Sequence, residues 1–227
     1  MNIKIQHPAL SNGIEISCDI INTIYFDECN IFYQFITDLQ NDEIANEKFY
    51  ISSDYTHVKT TTILECVVNL FSIEMNDKKI ITGFYKKIVK QSEDDSKTIK
   101  DIQSLNTQLS YIVKNVTSNC NMPLIFDEEL TLQHLLKITD LRFNFKDINF
   151  LVKLTNYIEL LLEFTSIKIL ILPFLNNLLT EEELDTLISF TKNKNFFIIT
   201  CNSQQSNIQK NKLKTIYKEK EEKDIII

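Results

Sequence analysis

The sequence predicts an α/β protein: a head built on a mostly parallel sheet, with an α-helical arm inserted in it. Three stretches carry that prediction. Ile167 to Leu172 is a short, almost continuous apolar run closed by Pro173, the pattern of a strand buried on both faces of a parallel sheet. Thr180-Glu-Glu-Glu opens a helix that runs to about Lys192, and Phe196 to Thr200 is a second buried strand; a strand, a helix and a second strand so close together make a right-handed crossover. Between Ser72 and Pro123 the strand pattern gives way to two long helical ones. The expected division is a head over 1–72 and 124–227 and an arm over 73–123.

Composition sets the outer limits. Of 227 residues, 44% are hydrophobic and 24% charged, with 15 Phe, which suits a proper core and excludes a disordered chain. Only 2 Gly and 3 Pro argue against a turn-rich all-β fold and against a glycine-dependent phosphate loop. The cysteines at 18, 29, 66, 120 and 201 form no CxxC pair, so they read as small buried hydrophobes in a reducing cytoplasm. No start resembles a signal peptide, and Glu159, Glu163 and Lys168 break the longest apolar runs well short of a membrane span. A cytoplasmic protein without a membrane partner is expected. The net charge of −7 speaks against general stickiness for nucleic acid; any DNA contact needs lysines gathered locally.

Taken in order, Asn2–Gln6 and Ile14–Ser17 flank Ser11-Asn12-Gly13 as a β-hairpin, since Asn-Gly favours tight reversal. Ile20–Phe26 is a further strand. Phe32, Phe35, Ile36 and Leu39 recur at helical spacing up to about Gln40, and Phe49–Ser52 is a short strand. Ile63, Val67, Leu70 and Phe71 mark another helix that begins near Thr60–Thr62. In the arm, Gln91–Ser96 is a polar link between two helices. The second carries Ile102, Leu105, Leu109, Ile112, Val113 and Val116 at spacings of three and four, close to a coiled-coil seam. So narrow a seam buries little alone and should pack on itself, on the head or on another subunit. Helices at about 128–139 and 147–164 lead back to the central strand. In the crossover helix Thr180 is the cap, Glu183 completes a capping box, and Leu179 with Leu184 staples its start. Beyond Cys201, Lys212–Tyr217 and Ile225–Ile227 border a charged turn, a terminal hairpin or a tail.

The search for catalytic chemistry comes back empty. There is no GxxxxGK[ST], GxGxxG or GxSxG, so the crossover lacks the backbone cradle and lysine that hold phosphates. His7, His57 and His134 are far apart and read as surface or core residues. The protein is not expected to be an enzyme.

Three features rise above background. From Lys78 to Lys90 the chain carries Lys78, Lys79, Lys86, Lys87 and Lys90 with no acid between them. At about 100° per residue, Lys79, Lys86 and Lys90 fall on one stripe with Ile81, Phe84 and Ile88 opposite; this is a DNA-binding face or simply a solvated one. Asp127, Glu128 and Glu129 are possible oxygen ligands for Ca²⁺. Equally, Asp127 is a natural N-cap and the two Glu suit the positive end of a helix dipole. Glu181-Glu182-Glu183 needs nothing beyond the capping argument.

The layout resembles a known family, the short, ring-forming adaptation protein of type II-A CRISPR systems. The resemblance lies in His7-Pro-Ala-Leu-Ser-Asn-Gly-Ile-Glu-Ile, in Phe71-Ser-Ile-Glu-Met-Asn, in Leu124 to Lys137 and in Ile167 to Asp185, and covers roughly residues 1–205. It implies that the head is a degenerate P-loop-like domain with no Walker A motif and no nucleotide chemistry. It further implies a helical leg, a homotetrameric ring, and double-stranded DNA taken by its ends with calcium support. Partners would be other CRISPR adaptation proteins and the effector nuclease of the same system. Similar proteins carry a denser acidic run before the position of Asp127; here Asn119 to Phe126 contains no acid, and only Asp127 and Glu128 match. The expected function is therefore non-catalytic duplex-DNA binding in spacer acquisition. The alternatives are a protein-interaction scaffold of the acquisition complex that touches no DNA, and a degenerate P-loop ATPase.

Overall fold

The structure, a computed structural model, describes residues 3–10, 12–54, 56–120, 122, 125, 129–145, 149–203, 213–218 and 224–226, the last two stretches as backbone only. The chain forms two compact units, Met1–Glu74 with Asp147–Ile227, and Met75–Lys146. The first begins with β1 (Ile3–Gln6), β2 (Ile14–Ile16), β3 (Ile21–Phe26), α1 (Cys29–Gln40) and α2 (Asp42–Lys48). It continues with β4 (Tyr50–Ser53), β5 (Thr56–Val58), a single turn α3 (Thr60–Ile63) and β6 (Leu64–Cys66). The second unit holds α4 (Lys78–Ser92), α5 (Ser96–Thr117) and α6 (Leu132–Ile138). The chain then returns through α7 (Phe150–Phe164), β7 (Ile169–Ile171), α8 (Glu181–Lys194), β8 (Phe197–Asn202), β9 (Leu213–Lys218) and β10 (Asp224–Ile226).

The α/β class is as expected, and the parallel sheet forms the centre of the first unit. Its order is β10-β9-β3-β8-β7-β6, and every neighbouring pair is parallel except β9 with β10. All residues of β3, β7 and β8 are buried, which is why β7 and the start of β8 read as apolar runs, whereas β3 also buries Asn22 and Thr23. The terminal strands do form an antiparallel hairpin. The capping box is also present: the Glu183 N–H donates to Thr180 Oγ1 at 3.3 Å, and the Thr180 N–H donates to Glu183 Oε2 at 2.9 Å.

A second, four-stranded antiparallel sheet has the order β2-β1-β4-β5. In β1, Ile3 and Ile5 face inward while Lys4 and Gln6 face solvent, the alternation of a sheet with one wet side. Phe26, Phe35 and Phe49 fill the core of this unit, with Phe35 5.1 Å from each of the other two rings.

Three expectations require correction. The helix read across Ile63–Phe71 is instead one helical turn followed by β6, which pairs with β7 through Leu64 opposite Ile169. The consecutive buried pair Ile63 and Leu64 marks a change of period rather than one helical face. The hairpin loop spans His7 to Gly13 and is no tight reversal. Gly13 is needed for space, not for a positive φ: a Cβ there would stand 2.5 Å from Gln6 Cγ and 2.7 Å from Lys4 Cε. Finally, the helix expected over 128–139 begins only at Leu132, capped by Thr131.

Candidate nucleic-acid interface

The lysine-bearing helix α4 starts at Asp77, whose Oδ1 accepts from the Lys79 N–H at 2.8 Å. One side of the helix is held within its own unit. Ile80 and Tyr85 are buried, the Phe84 ring lies 4.7 Å from Phe143, and Tyr85 Oη donates to the Leu141 carbonyl at 3.0 Å. Just upstream, Asn76 Nδ2 donates to the Phe143 carbonyl at 3.0 Å while the Phe143 N–H donates to Asn76 Oδ1 at 2.8 Å.

That anchoring fixes which way the other side faces. Lys79, Lys86 and Lys90 are exposed, Lys78 is exposed on one flank, and Lys87 is half-buried on the other. The helix has no acidic residue in its first turn. Lys78 and Lys79 therefore stand at the positive end of the helix dipole, where each is unfavourable by roughly 0.3–1 kcal/mol.

The next helix, α5, buries none of its residues. Its apolar stripe is half-buried at Ile102, Leu109 and Val113 and open at Leu105, Ile112 and Val116, which are 45%, 56% and 78% exposed. On another side of α5, Asn106 ties down the chain ahead of α6. Its Oδ1 accepts from the Leu130 N–H at 2.8 Å and its Nδ2 donates to the Leu130 carbonyl at 3.0 Å. A cleft of about 630 Å³ opens beside this clasp, between Gln103, Thr107, Tyr111 and Lys114 of α5 and Glu129.

Of the three carboxylates considered for Ca²⁺, Asp127 and Glu128 lie outside the described residues. Glu129 is exposed at the rim of that cleft. The cap of α6 is Thr131, boxed with His134, so Glu129 does not sit in the first turn of a helix. Among the described residues no three His, Cys, Asp or Glu side chains gather to hold a metal. The Glu129 carboxylate by itself offers at most two of the 6–8 oxygens calcium takes.

One polar constellation escaped the sequence reading. His7 is buried between the rings of Phe35 and Phe49, at centroid distances of 5.1 and 4.2 Å. Its Nδ1 accepts from the Ala9 N–H at 3.0 Å, so in the neutral ring the proton sits on Nε2, which donates to Asp38 Oδ2 at 3.2 Å. Asp38 also accepts from Gln34 Nε2 at 2.7 Å and from Lys48 Nζ at 2.9 and 3.0 Å. Burial alone would raise the Asp38 pKa, but the bonds from Lys48, Gln34 and His7 and the charge of Lys48 hold it below the usual carboxylate value. The pair has the look of a catalytic dyad, yet His7 has no lone pair left to take a proton. Its role is to hold the loop and α1 together. The i, i+4 spacing of Gln34 and Asp38 was the available signal; the partners from the loop and from α2 were not visible in it.

No curated protein matches the chain. Among solved structures, one described as an ABC transporter ATP-binding protein from Pyrococcus furiosus is similar at 8% identity, covering 95% of this chain and 97% of that chain, with a TM-score of 0.36; a likeness of that size carries no argument. The family of CRISPR-associated proteins Cas_Csn2 matches residues 40–218, well over half of the chain. The segments that bear the lysine helix, the seam helix and the crossover strands all fall within that match, and the protein belongs to the CRISPR-associated Cas_Csn2 family of type II-A systems.

Proposed function

We propose that this CRISPR-associated protein is a non-catalytic binder of double-stranded DNA in spacer acquisition, acting as a homotetrameric ring that takes duplex by its ends. The observation that carries the reading is the exposed stripe of Lys79, Lys86 and Lys90, flanked by Lys78 and Lys87, on a helix whose opposite side is anchored. Lysines neutralise phosphates without reading bases, so the affinity is independent of sequence. The open stripe on α5 supports self-association, because Leu105, Ile112 and Val116 stay in water in the single chain. The helical unit acts as the arm of the ring.

The head is read as a degenerate P-loop-like domain. Where a phosphate loop would present backbone N–H groups at the start of α1, this chain has the exposed carboxylates of Asp27 and Glu28, which repel phosphates. That weighs against the ATPase alternative. The adaptation proteins and the effector nuclease of the same system are the partners proposed.

The test compares linear duplex, covalently closed circles and duplex blocked at both ends. Linear duplex should bind while the other two do not, and binding should weaken with salt at a log–log slope of about −0.9 per phosphate neutralised. The triple variant K79E/K86E/K90E should lose DNA while keeping its oligomeric mass by light scattering. Equal affinity for closed circles rules out threading, and a triple variant that still binds moves the DNA surface elsewhere.

A further inference from the structure

Beneath the carboxyl ends of the central strands lies a set of polar side chains that the DNA reading does not use. Thr23 of β3 stands opposite Thr200 of β8, and Tyr25 opposite Asn202. Registered neighbours in a parallel pair project to the same side, so Thr23, Thr200 and Asn202 share one face. The chain leaving β7 first extends the ladder, with the Phe174 N–H donating to the Cys201 carbonyl at 3.1 Å. It then turns over that face: the Leu175 N–H donates to Thr200 Oγ1 at 3.1 Å, and Asn176 follows in the 3₁₀ turn Leu175–Asn177.

Thr23, Asn176 and Asn202 are all at least nine-tenths buried, at 0%, 3% and 3% exposure. Yet Thr23 Oγ1, both polar atoms of the Asn176 amide and Asn202 Nδ2 have no hydrogen-bond partner among the described residues. Leaving such groups unmet is expensive, and natural folds rarely do it. The set mixes donors and acceptors and carries no charge, so it suits neither a phosphate nor a metal ion. Over the turn, Phe174 packs 5.3 Å from Phe32 and adopts a left-handed φ of 60°, a conformation uncommon for a bulky residue and a sign that its surroundings fix it.

We propose that this niche is a built site for ordered internal water, which bridges the Asn176 amide to Thr23 and Asn202 and so fastens the turn after β7 to the centre of the sheet. Water is the ligand of matching chemistry: it offers two donors and two acceptors and meets 2–4 partners in buried polar sites. The turn is then held by solvent where a sealed apolar contact would otherwise be needed.

A high-resolution crystal structure of the full chain, read together with the variants T23V and N176L, tests the site. Density for ordered water within hydrogen-bond distance of Asn176 and of Thr23 or Asn202 is expected. T23V keeps the shape and removes the hydroxyl; it should lower Tm by roughly 2–4 °C, and N176L by at least as much. If N176L does not fold, T23V and the crystal decide. A dry niche, a larger solute in its place, or a T23V that melts at or above the wild type would each overturn the assignment. None of these results bears on DNA binding, so this proposal and the one above fail separately.

Discussion

The Nε2 of His7 and the Oδ2 of Asp38 meet at 3.2 Å although 31 positions separate them in the chain, and the contact ties the first loop to the first long helix. Asp38 is the hub of that junction, and its depressed pKa makes the junction sensitive to acid. A carboxylate held below its unfolded value contributes stability above that value, near 3.8, and loses it as pH falls through the folded one. Asp38→Asn should therefore cost about 2–4 kcal/mol near neutral pH, at the low end because Lys48 is 37% exposed and can turn to water. Thermal melts from neutral pH to about pH 3 should show the gap between variant and wild type closing in acid. A constant gap would mean that Asp38 contributes packing and not charge.

Cysteine reactivity should divide four of the five thiols by environment. Burial, with the charge of Glu65, pushes Cys66 up to about 12, and burial pushes Cys201 well above the ordinary thiol value. The thiolate is the reactive form, so at pH 8 a thiol reagent should label exposed Cys29 and Cys120 quickly and reach Cys66 and Cys201 only after denaturation. Fast native labelling at Cys201 would mean that the central sheet opens readily.

Thr180→Ala removes the hydroxyl that accepts from the Glu183 N–H and leaves the bond from the Thr180 N–H to Glu183 Oε2 in place. The expected loss is about 1 kcal/mol, or roughly 2–4 °C in Tm for a chain of this size. Thr180→Ser should restore most of it, and scanning calorimetry of the three proteins checks both values.

Calcium is tested by the same method. With Thr131 serving as the cap of α6, Glu129 has no capping role to explain it. The carboxylate reading of Asp127, Glu128 and Glu129 expects a calcium-dependent rise in Tm that the D127N/E128Q variant abolishes. A melting temperature indifferent to calcium removes the ion from the account.

What the sequence made legible was local. The runs at Ile169–Ile171 and Phe197–Asn202 are buried on both faces, so their composition announces them. The Thr180 and Glu183 cap depends on residues three apart, and the Lys79, Lys86 and Lys90 stripe depends only on helical period. Period failed where one element gives way to another within a few residues, as at Ile63 and Leu64, and where two caps compete, as at Asp127 and Thr131. Pairings across the chain left no local trace. Nothing near His7 points to Asp38, and nothing near Asn176 reveals that its amide would be shut in without a partner among the described residues.

The order of the central sheet has a consequence for synthesis. β3 is made early but is flanked by β8 and β9, and Asn22 Nδ2 reaches the Ile198 carbonyl 176 positions later. At about 5–20 residues per second, the ribosome takes roughly 9–35 s to supply those neighbours. Throughout that interval a strand destined for full burial waits without its neighbours, while the contiguous unit Met75–Lys146 has already emerged and can fold first. The nascent chain is therefore at its most aggregation-prone in the middle of translation, when a holding chaperone has most to protect.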